Sequence, residues 1–332
     1  MSPRKINNTE NTPARRKVAK RKALVTGGGG RMGRALSIEL VRRGYEVLSL
    51  SHNKDFVHTM PSGVVPYVGD ITDKKTLMNM CHGVDVVFHL AAVVSEYKEP
   101  TQRLMQINVQ GTSNVLDACR QNGVGHIVFT SSIDVYGHAR KDTLTEDSEL
   151  KPADRYGYSK MMAEKEIEGY KDKIDYTILR IAAVYGKGFE SSYFKLFKAI
   201  KEGKAYLIGS GNNHLSLIHI DDLVNALVLA AENKKQSANV YNIGDGVSYT
   251  QAGLFGMTAD MLKVGRPTRH ISPMIVNLVA KSRGLDSDEL RFLTSDRVMS
   301  ISKARKDLGF QPRVRIESAG LQMVGEFLSH NK

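Results

Sequence analysis

Tyr156 and Lys160 stand four residues apart in the run Tyr156-Gly157-Tyr158-Ser159-Lys160, and side chains at i and i+4 share one face of a helix. A phenol has a pKa of about 10 and exchanges protons poorly at neutral pH. An ammonium held beside it favours the phenolate and brings it toward the working range of an acid/base catalyst. Upstream, Phe129-Thr130-Ser131-Ser132 closes an apolar run. In an α/β sheet that carboxyl edge is where ligands bind, so the Ser132 hydroxyl can hold a substrate oxygen beside Tyr156. The chemistry within reach of this set is proton transfer at an alcohol or ketone oxygen. Tyr158 is not an equivalent candidate, because its i+4 residue is Met162.

A second constellation, Thr26-Gly27-Gly28-Gly29-Gly30-Arg31-Met32-Gly33, follows a short apolar run and precedes a helical pattern. Gly27, Gly30 and Gly33 fit T-G-x-x-G-x-x-G, and Gly28, Gly30 and Gly33 fit G-x-G-x-x-G. Glycines let the backbone approach a pyrophosphate, and the helix that follows offers free N–H groups and a partial positive charge. Gly27, Gly30, Arg31, Met32 and Gly33 are therefore read as cofactor-binding. A carboxylate at the end of the second strand would hold the adenosine ribose hydroxyls. That place falls at Ser51, and Ser51-His52-Asn53-Lys54 carries no carboxylate before Asp55. Lys54, His52 and Arg31 can instead meet a 2′-phosphate, which favours NADP over NAD. No metal ligands are assigned.

The elements that position these groups alternate. Strand patterns at 23–26, 46–50, 63–68, 84–90, 126–130 and 176–181 are interleaved with helical patterns at 32–43, 74–81, 108–121 and 155–170. Near-continuous apolar strands between helices predict an α/β, Rossmann-type, doubly wound parallel sheet covered on both faces. The regularity fades after Gly186. A helix at 192–200, a turn at 209–213, a strand at 240–243 and further helices predict a smaller, mostly helical C-terminal lobe. The expected division is a disordered basic tail (1–20), a dinucleotide-binding core (21–186) and a substrate-binding lobe (187–332) that returns elements to the core.

Composition narrows the function classes. The net charge is +12, but eight cations against Glu10 place +7 of it in residues 1–22. The basicity belongs mainly to the tail, and nothing downstream resembles a nucleic-acid module. No apolar run reaches the roughly 18–20 residues of a membrane span; the segment 271–280 is about half that. There are two cysteines, which suits a reducing, cytoplasmic setting.

Taken together, the motifs resemble the extended short-chain dehydrogenase/reductase family, also called the NAD-dependent epimerase/dehydratase family. The likeness covers about residues 21–325. Beyond the two constellations it rests on Gly69-Asp70-Ile71-Thr72-Asp73, His89-Leu90-Ala91-Ala92, Asn108-Val109-Gln110-Gly111-Thr112, Leu179-Arg180 with Val184-Tyr185-Gly186, Ile218-His219-Ile220-Asp221-Asp222 and Tyr241-Asn242-Ile243-Gly244. The resemblance implies a catalytic triad of Ser132, Tyr156 and Lys160, with Lys160 also bonding the nicotinamide ribose. It implies that Asp70 and Ile71 contact adenine, that Leu90, Ala91 and Ala92 line the cofactor groove, and that Asn108 supports the helix bearing the site. A homodimer through paired helices is common in that family.

The departures bear on the substrate. Sugar-nucleotide dehydratases of the family carry an Asp-Glu pair after the active-site hydroxyl residue, where this chain has Ile133-Asp134. Isoleucine cannot protonate a leaving hydroxyl. Epimerases usually carry an Asn near Ala183 and an Arg at the place of Leu215 that clamps a diphosphate, with His214 as a stand-in here. These losses make the chain more similar to the 3β-hydroxysteroid-dehydrogenase-like and dihydroflavonol-reductase-like branch, with residues 273–279 as an apolar wall. The expected activity is hydride transfer at a secondary alcohol or ketone of a small molecule. A nucleotide-sugar epimerase with tightly bound NAD is the alternative, and a non-enzymatic NADP sensor a second one.

Overall fold

The computed structural model describes residues 20–94, 101–138, 142–233, 238–276 and 294–330. Residues 1–19 of the basic tail and 277–279 of the apolar segment lie outside the described residues.

Six strands alternate with helices as the sequence predicts: β1 (Lys22–Thr26), β2 (Glu46–Ser51), β3 (Val64–Val68), β4 (Val86–His89), β5 (His126–Ser132) and β6 (Asp175–Ile181). With β11 (Asn239–Ile243) they form a seven-stranded sheet in the order β11-β6-β5-β4-β1-β2-β3, every neighbouring pair parallel. Chain order reverses at β1, which lies between β2 and β4. The crevice beyond the carboxyl ends of β1 and β4 is therefore the topological switch point, where such sheets take ligands.

Helices α1 (Arg31–Arg42), α2 (Lys74–Met80), α4 (Gly111–Gln121), α5 (Arg155–Glu168) and α7 (Ile220–Glu232) cover the sheet. α1 shows how sequence sets packing. Gly33, Leu36, Ser37 and Leu40 recur at helical spacing and are all buried. Leu36 and Leu40, fully buried, each contribute about 2 kcal/mol of transfer free energy.

One expected helix is interrupted. The pattern read as a single helix through 108–121 is α3 (Thr101–Met105), a π-helical turn (Gln106–Gln110) and then α4. The wider turn points Asn108 inward, and Asn108 is 2% exposed. Such turns occur often at functional sites.

Beyond β6 come short strands that no sequence period announced: β7 (Ala183–Tyr185), β8 (Leu207–Ile208), β9 (His214–Leu215), β10 (Leu217–His219), β12 (Tyr249–Thr250) and β13 (His270–Ile271). They pair as β7 with β10, β9 with β12 and β8 with β13. With α6 (Glu190–Lys201), α8 (Gln251–Leu262) and α10 (Ile316–His330) they enclose a separate apolar cluster that includes Phe197, Phe255 and Phe327. An apolar cavity of about 50 Å³ lies among these helices and shares no lining residue with the catalytic set. α9 (Ser302–Leu308) packs beside β11. Among the described residues no helix is long and apolar enough to cross a membrane.

Candidate active site

The helix α5 carries both halves of the Tyr/Lys pair, and its start is fixed by its neighbours. Asp154 is the N-cap, its carboxylate accepting from Gly157 N at 2.6 Å. A Cβ at position 157 would lie 2.5 Å from the Asp134 carbonyl oxygen. Glycine there lets the first turn of α5 rest directly on the turn that follows Ser132, which brings the serine and the Tyr156 end of the helix together.

Lys160 is 2% exposed. Its ammonium donates to Thr130 O at 2.8 Å and sits 6.0 Å from the centre of the Tyr156 ring and 4.6 Å from that of Phe129. Burial pushes the Lys160 pKa down to about 7, while the Glu164 carboxylate pulls it up. Glu164, one turn further along, is also buried. It is paired with Arg180 at 2.7 Å and receives the Ser131 hydroxyl. Tyr156 is half-buried, whereas Tyr158 is 46% exposed, as expected for the residue without a basic partner.

Ser132 is 7% exposed. Its hydroxyl donates to Asp134 Oδ2 at 2.9 Å and accepts from Asp134 N at 3.2 Å. Arg297, 6% exposed, reaches in to donate from Nη1 to Asp134 Oδ1 at 2.8 Å and to Gly137 O at 3.0 Å. His138 Nε2 lies 2.7 Å from Asp154 Oδ2 without the alignment of a hydrogen bond. One ligand-type atom from each of Asp134, His138 and Asp154 falls within 4.8 Å of the others. The Arg297 guanidinium already pairs with Asp134 Oδ1, so the group is built around an ion pair beside Ser132. Sequence reasoning set Ser132 beside Tyr156 to hold a substrate oxygen, without its bonds to Asp134, and missed Arg297 and His138 altogether. Asp154 was findable, as an N-cap residue just before a helical pattern.

The cofactor side is built differently. Gly27 has φ +71°, and a Cβ there would lie 2.7 Å from Ala91 N; only glycine lets the loop close on residues 90–92. Leu90 N and Ala91 N bond Thr26 O and Oγ1 at 3.2 and 3.3 Å. From Thr26 a buried chain runs to His89 Nδ1 (2.7 Å), from His89 Nε2 to Thr112 (2.9 Å), and from the Thr112 hydroxyl to Asn108 O (2.7 Å). Because Thr112 donates onward and Thr26 receives Ala91 N, His89 carries its proton on Nε2. Burial, and then the charge of Lys160, push its pKa down to about 3 and keep it neutral. Asn108 then clasps Val93 N and O at 2.8 and 3.0 Å and donates to Ser159 Oγ at 2.9 Å. The implied support of the catalytic helix by Asn108 has a direct physical form.

The α1 N-terminus has Gly30 as N-cap with no side-chain cap and no acidic residue in its first turn, so its N–H groups are available to an anion. A groove of about 810 Å³ runs along α1 toward α7, lined by Gly29, Gly30, Arg31, Arg34, Glu39, Lys187, Asp221 and Asn225 among others, and it reaches none of Ser51, Lys54, Asp70 or residues 90–92. The glycine loop and the α1 N-terminus themselves fit a dinucleotide whose pyrophosphate meets Gly27, Gly30, Met32 and Gly33. Arg31 stacks over the Phe189 ring at 5.2 Å, which takes it to the loop after β7, whereas Ser51 and Lys54 lie at the end of β2. Ile71 is 5% exposed and packs against Gly111. Asp70 uses Oδ1 to hold Thr72 N at 2.8 Å. Leu215 is buried, and His214 is paired with Asp296 at 3.1 Å.

Comparison with known proteins agrees with this architecture. Residues 23–244 match the model of the NAD dependent epimerase/dehydratase family, and the chain belongs to that family. It is 30% identical over 252 residues, 75% of this chain and 74% of the other, to the N-acetyl-alpha-D-glucosaminyl-diphospho-ditrans,octacis-undecaprenol 4-epimerase of Escherichia coli O157:H7. It is 28% identical over 327 residues, 90% of this chain and 89% of the other, to a 3-beta-hydroxysteroid dehydrogenase of Mycolicibacterium neoaurum. The UDP-glucose 4-epimerase of Thermotoga maritima, solved with UDP-glucose, superposes with a TM-score of 0.78 at 25% identity, covering 94% of this chain and all of its own. The chain is thus an enzyme of an NAD-dependent family that holds both dehydrogenases and sugar epimerases.

Proposed function

We propose that this chain moves a hydride at a secondary alcohol or ketone carbon of a small molecule, with Tyr156 as general acid/base. The observation that carries the reading is the buried Lys160 ammonium, pinned by Thr130 O one helical turn from Tyr156 and facing its ring. A nicotinamide supplies the hydride chemistry when bound. Lys160 favours the Tyr156 phenolate, which takes the proton when an alcohol is oxidised and returns it when a ketone is reduced. Ser132 orients the substrate oxygen, and the loop at residues 27–33 together with residues 90–92 holds the dinucleotide. The end of β2 offers Ser51, His52 and Lys54 without a carboxylate, which favours NADP over NAD in our reading.

A second reading, a nucleotide-sugar epimerase that retains NAD, is supported by the relatives above and by the charged cluster at Ser132, which suits a polyol. The two are separated with three probes: UDP-glucose, a 3β-hydroxysteroid and a 2-alkyl-3-hydroxyalkanoate. Net change at 340 nm with added cofactor supports the dehydrogenase. Formation of UDP-galactose with no cofactor added supports the epimerase. In either case Tyr156→Phe should lower turnover by at least about a thousandfold while the cofactor Kd stays within about twofold. Unchanged turnover would remove Tyr156 from the mechanism; a wild type that binds the dinucleotide but turns over none of the probes would leave the sensor reading.

A further inference from the structure

We propose that Arg297 is a positioning residue of the active site, acting on Ser132 through Asp134, so that a segment outside the dinucleotide-binding elements sets the direction of the serine hydroxyl. The proposal rests on the acid/base reading of Ser132, Tyr156 and Lys160.

The hydrogen-bond inventory of Ser132 is the starting point. A serine hydroxyl has one proton and two lone pairs. The proton is directed to Asp134 Oδ2 and one lone pair accepts from Asp134 N. What remains for a ligand is an acceptor, suited to a substrate hydroxyl. To donate to a ketone oxygen the proton must leave Asp134, and the strength of that competing bond depends on the carboxylate's charge and alignment. Arg297 governs both. Its Nη1 fixes Asp134 Oδ1 and the Gly137 carbonyl from opposite sides of the turn. With both partners poorly hydrated, the guanidinium draws down the carboxylate's charge more than it would in water.

Arg297 reaches this place because its backbone is held at both ends. Its N–H donates to His214 O at 2.9 Å and its carbonyl accepts from Ser216 Oγ at 3.1 Å, so it straddles the buried Leu215. The pair with Arg297 holds the Asp134 carboxylate in one orientation, as a hinge for Ser132. A cation site is the other use for the Asp134, His138 and Asp154 group, but the guanidinium already holds Asp134 Oδ1.

The test is made in the full chain. Thermal denaturation of R297Q, D134N and the double variant is read first and needs no substrate. The double variant should melt no lower than the worse single variant; additive losses would overturn the pair. Turnover is then measured with whichever of UDP-glucose, the 3β-hydroxysteroid or the 2-alkyl-3-hydroxyalkanoate the wild type accepts. R297Q should lower kcat by about 10- to 100-fold, the scale of a misplaced catalytic group, with KM and cofactor Kd within about threefold. R297K should recover part of the loss. The decisive arm is S132A: because the effect runs through the serine, S132A/R297Q should be no slower than S132A. A full multiplicative loss in that double variant would show that Arg297 acts by another route. If the wild type accepts none of the probes, the functional reading fails, while the melting cycle still decides whether the clamp exists.

Discussion

On the glycine-loop side of the cleft, Thr26, His89, Thr112 and Asn108 are joined by neutral hydrogen bonds; on the Ser132 side, the Asp134 carboxylate and the Arg297 guanidinium meet as an ion pair, with His138 and Asp154 beside them. In the function proposed above, the difference follows from what each side must do. A groove that takes the same dinucleotide in every turnover gains from fixed, fully satisfied dipoles whose geometry does not change with pH or salt. A surface that meets an alcohol in one state and a ketone in the other gains from charges whose balance shifts when a partner moves. Lys160 stands on the border, tied to Thr130 O by a neutral acceptor yet carrying the one charge the phenol needs.

Removing Lys160 is the harshest way to test this division. Lys160→Met should reduce turnover by about a thousandfold or more. It should also stabilise the chain. The folded pKa lies near 7, below the value of 10.5 for a free lysine, so between those limits the unfolded chain binds the extra proton. Wild-type stability therefore rises with pH across that window, and the cost of the buried charge is greatest below pH 7. Less the loss of a partner for Thr130 O, the variant should gain about 2 kcal/mol at pH 6, and the gain should fade toward pH 10. Denaturation curves at both pH values check this, and a variant less stable at pH 6 would contradict it.

A cut into the neutral side should behave otherwise. His89→Leu strands the Thr26 and Thr112 hydroxyls in the interior and should cost about 2–4 kcal/mol. His89 stays neutral in the folded chain, with its pKa pushed down to about 3, but takes up a proton below about pH 6.5 once unfolded. Wild-type stability therefore rises with pH between those values. The loss on substitution should grow by about 2 kcal/mol from pH 5 to pH 8 and level off above that. A loss that stayed flat across that range would contradict the buried neutral imidazole. The mildest change falls at the end of β2. Lys54→Ala should weaken NADP by about fivefold and leave NAD unaltered, a surface-charge effect of less than about 1 kcal/mol. Arg31→Ala, beside Phe189 and away from Ser51, should weaken both cofactors alike. Fluorescence titration with each dinucleotide separates the two variants.

The same division explains what the sequence made legible. The glycine loop is local, since strand, loop and helix follow one another in the chain, and Tyr156 and Lys160 share a single helix, so spacing alone announces them. The parallel sheet was legible because its strands are apolar on both faces. The charged side is not local. Arg297 and Asp134 are 163 residues apart, and the strands that deliver Arg297 are two or three residues long, too short to show a period. The π-helical turn was missed for a related reason, since one extra residue in a turn leaves the apolar spacing nearly unchanged while rotating Asn108 toward Ser159. Arg31 was grouped with Lys54 because both are basic and both belong to the expected cofactor site in sequence; the cation–π contact with Phe189, more than 150 positions away, settles the side chain elsewhere.

The seventh strand has a consequence for the birth of the molecule. β11 pairs with β6 along its whole length, and α7, which reaches it through the chain, closes against α1 from near the other end, with Arg43 bonded to Glu232 at 3.2 Å. Such distant pairings close large loops before they return any energy. During synthesis the first six strands emerge with one edge of the sheet still bare. Completion of the sheet that carries Ser132 therefore waits on residues translated long after that serine.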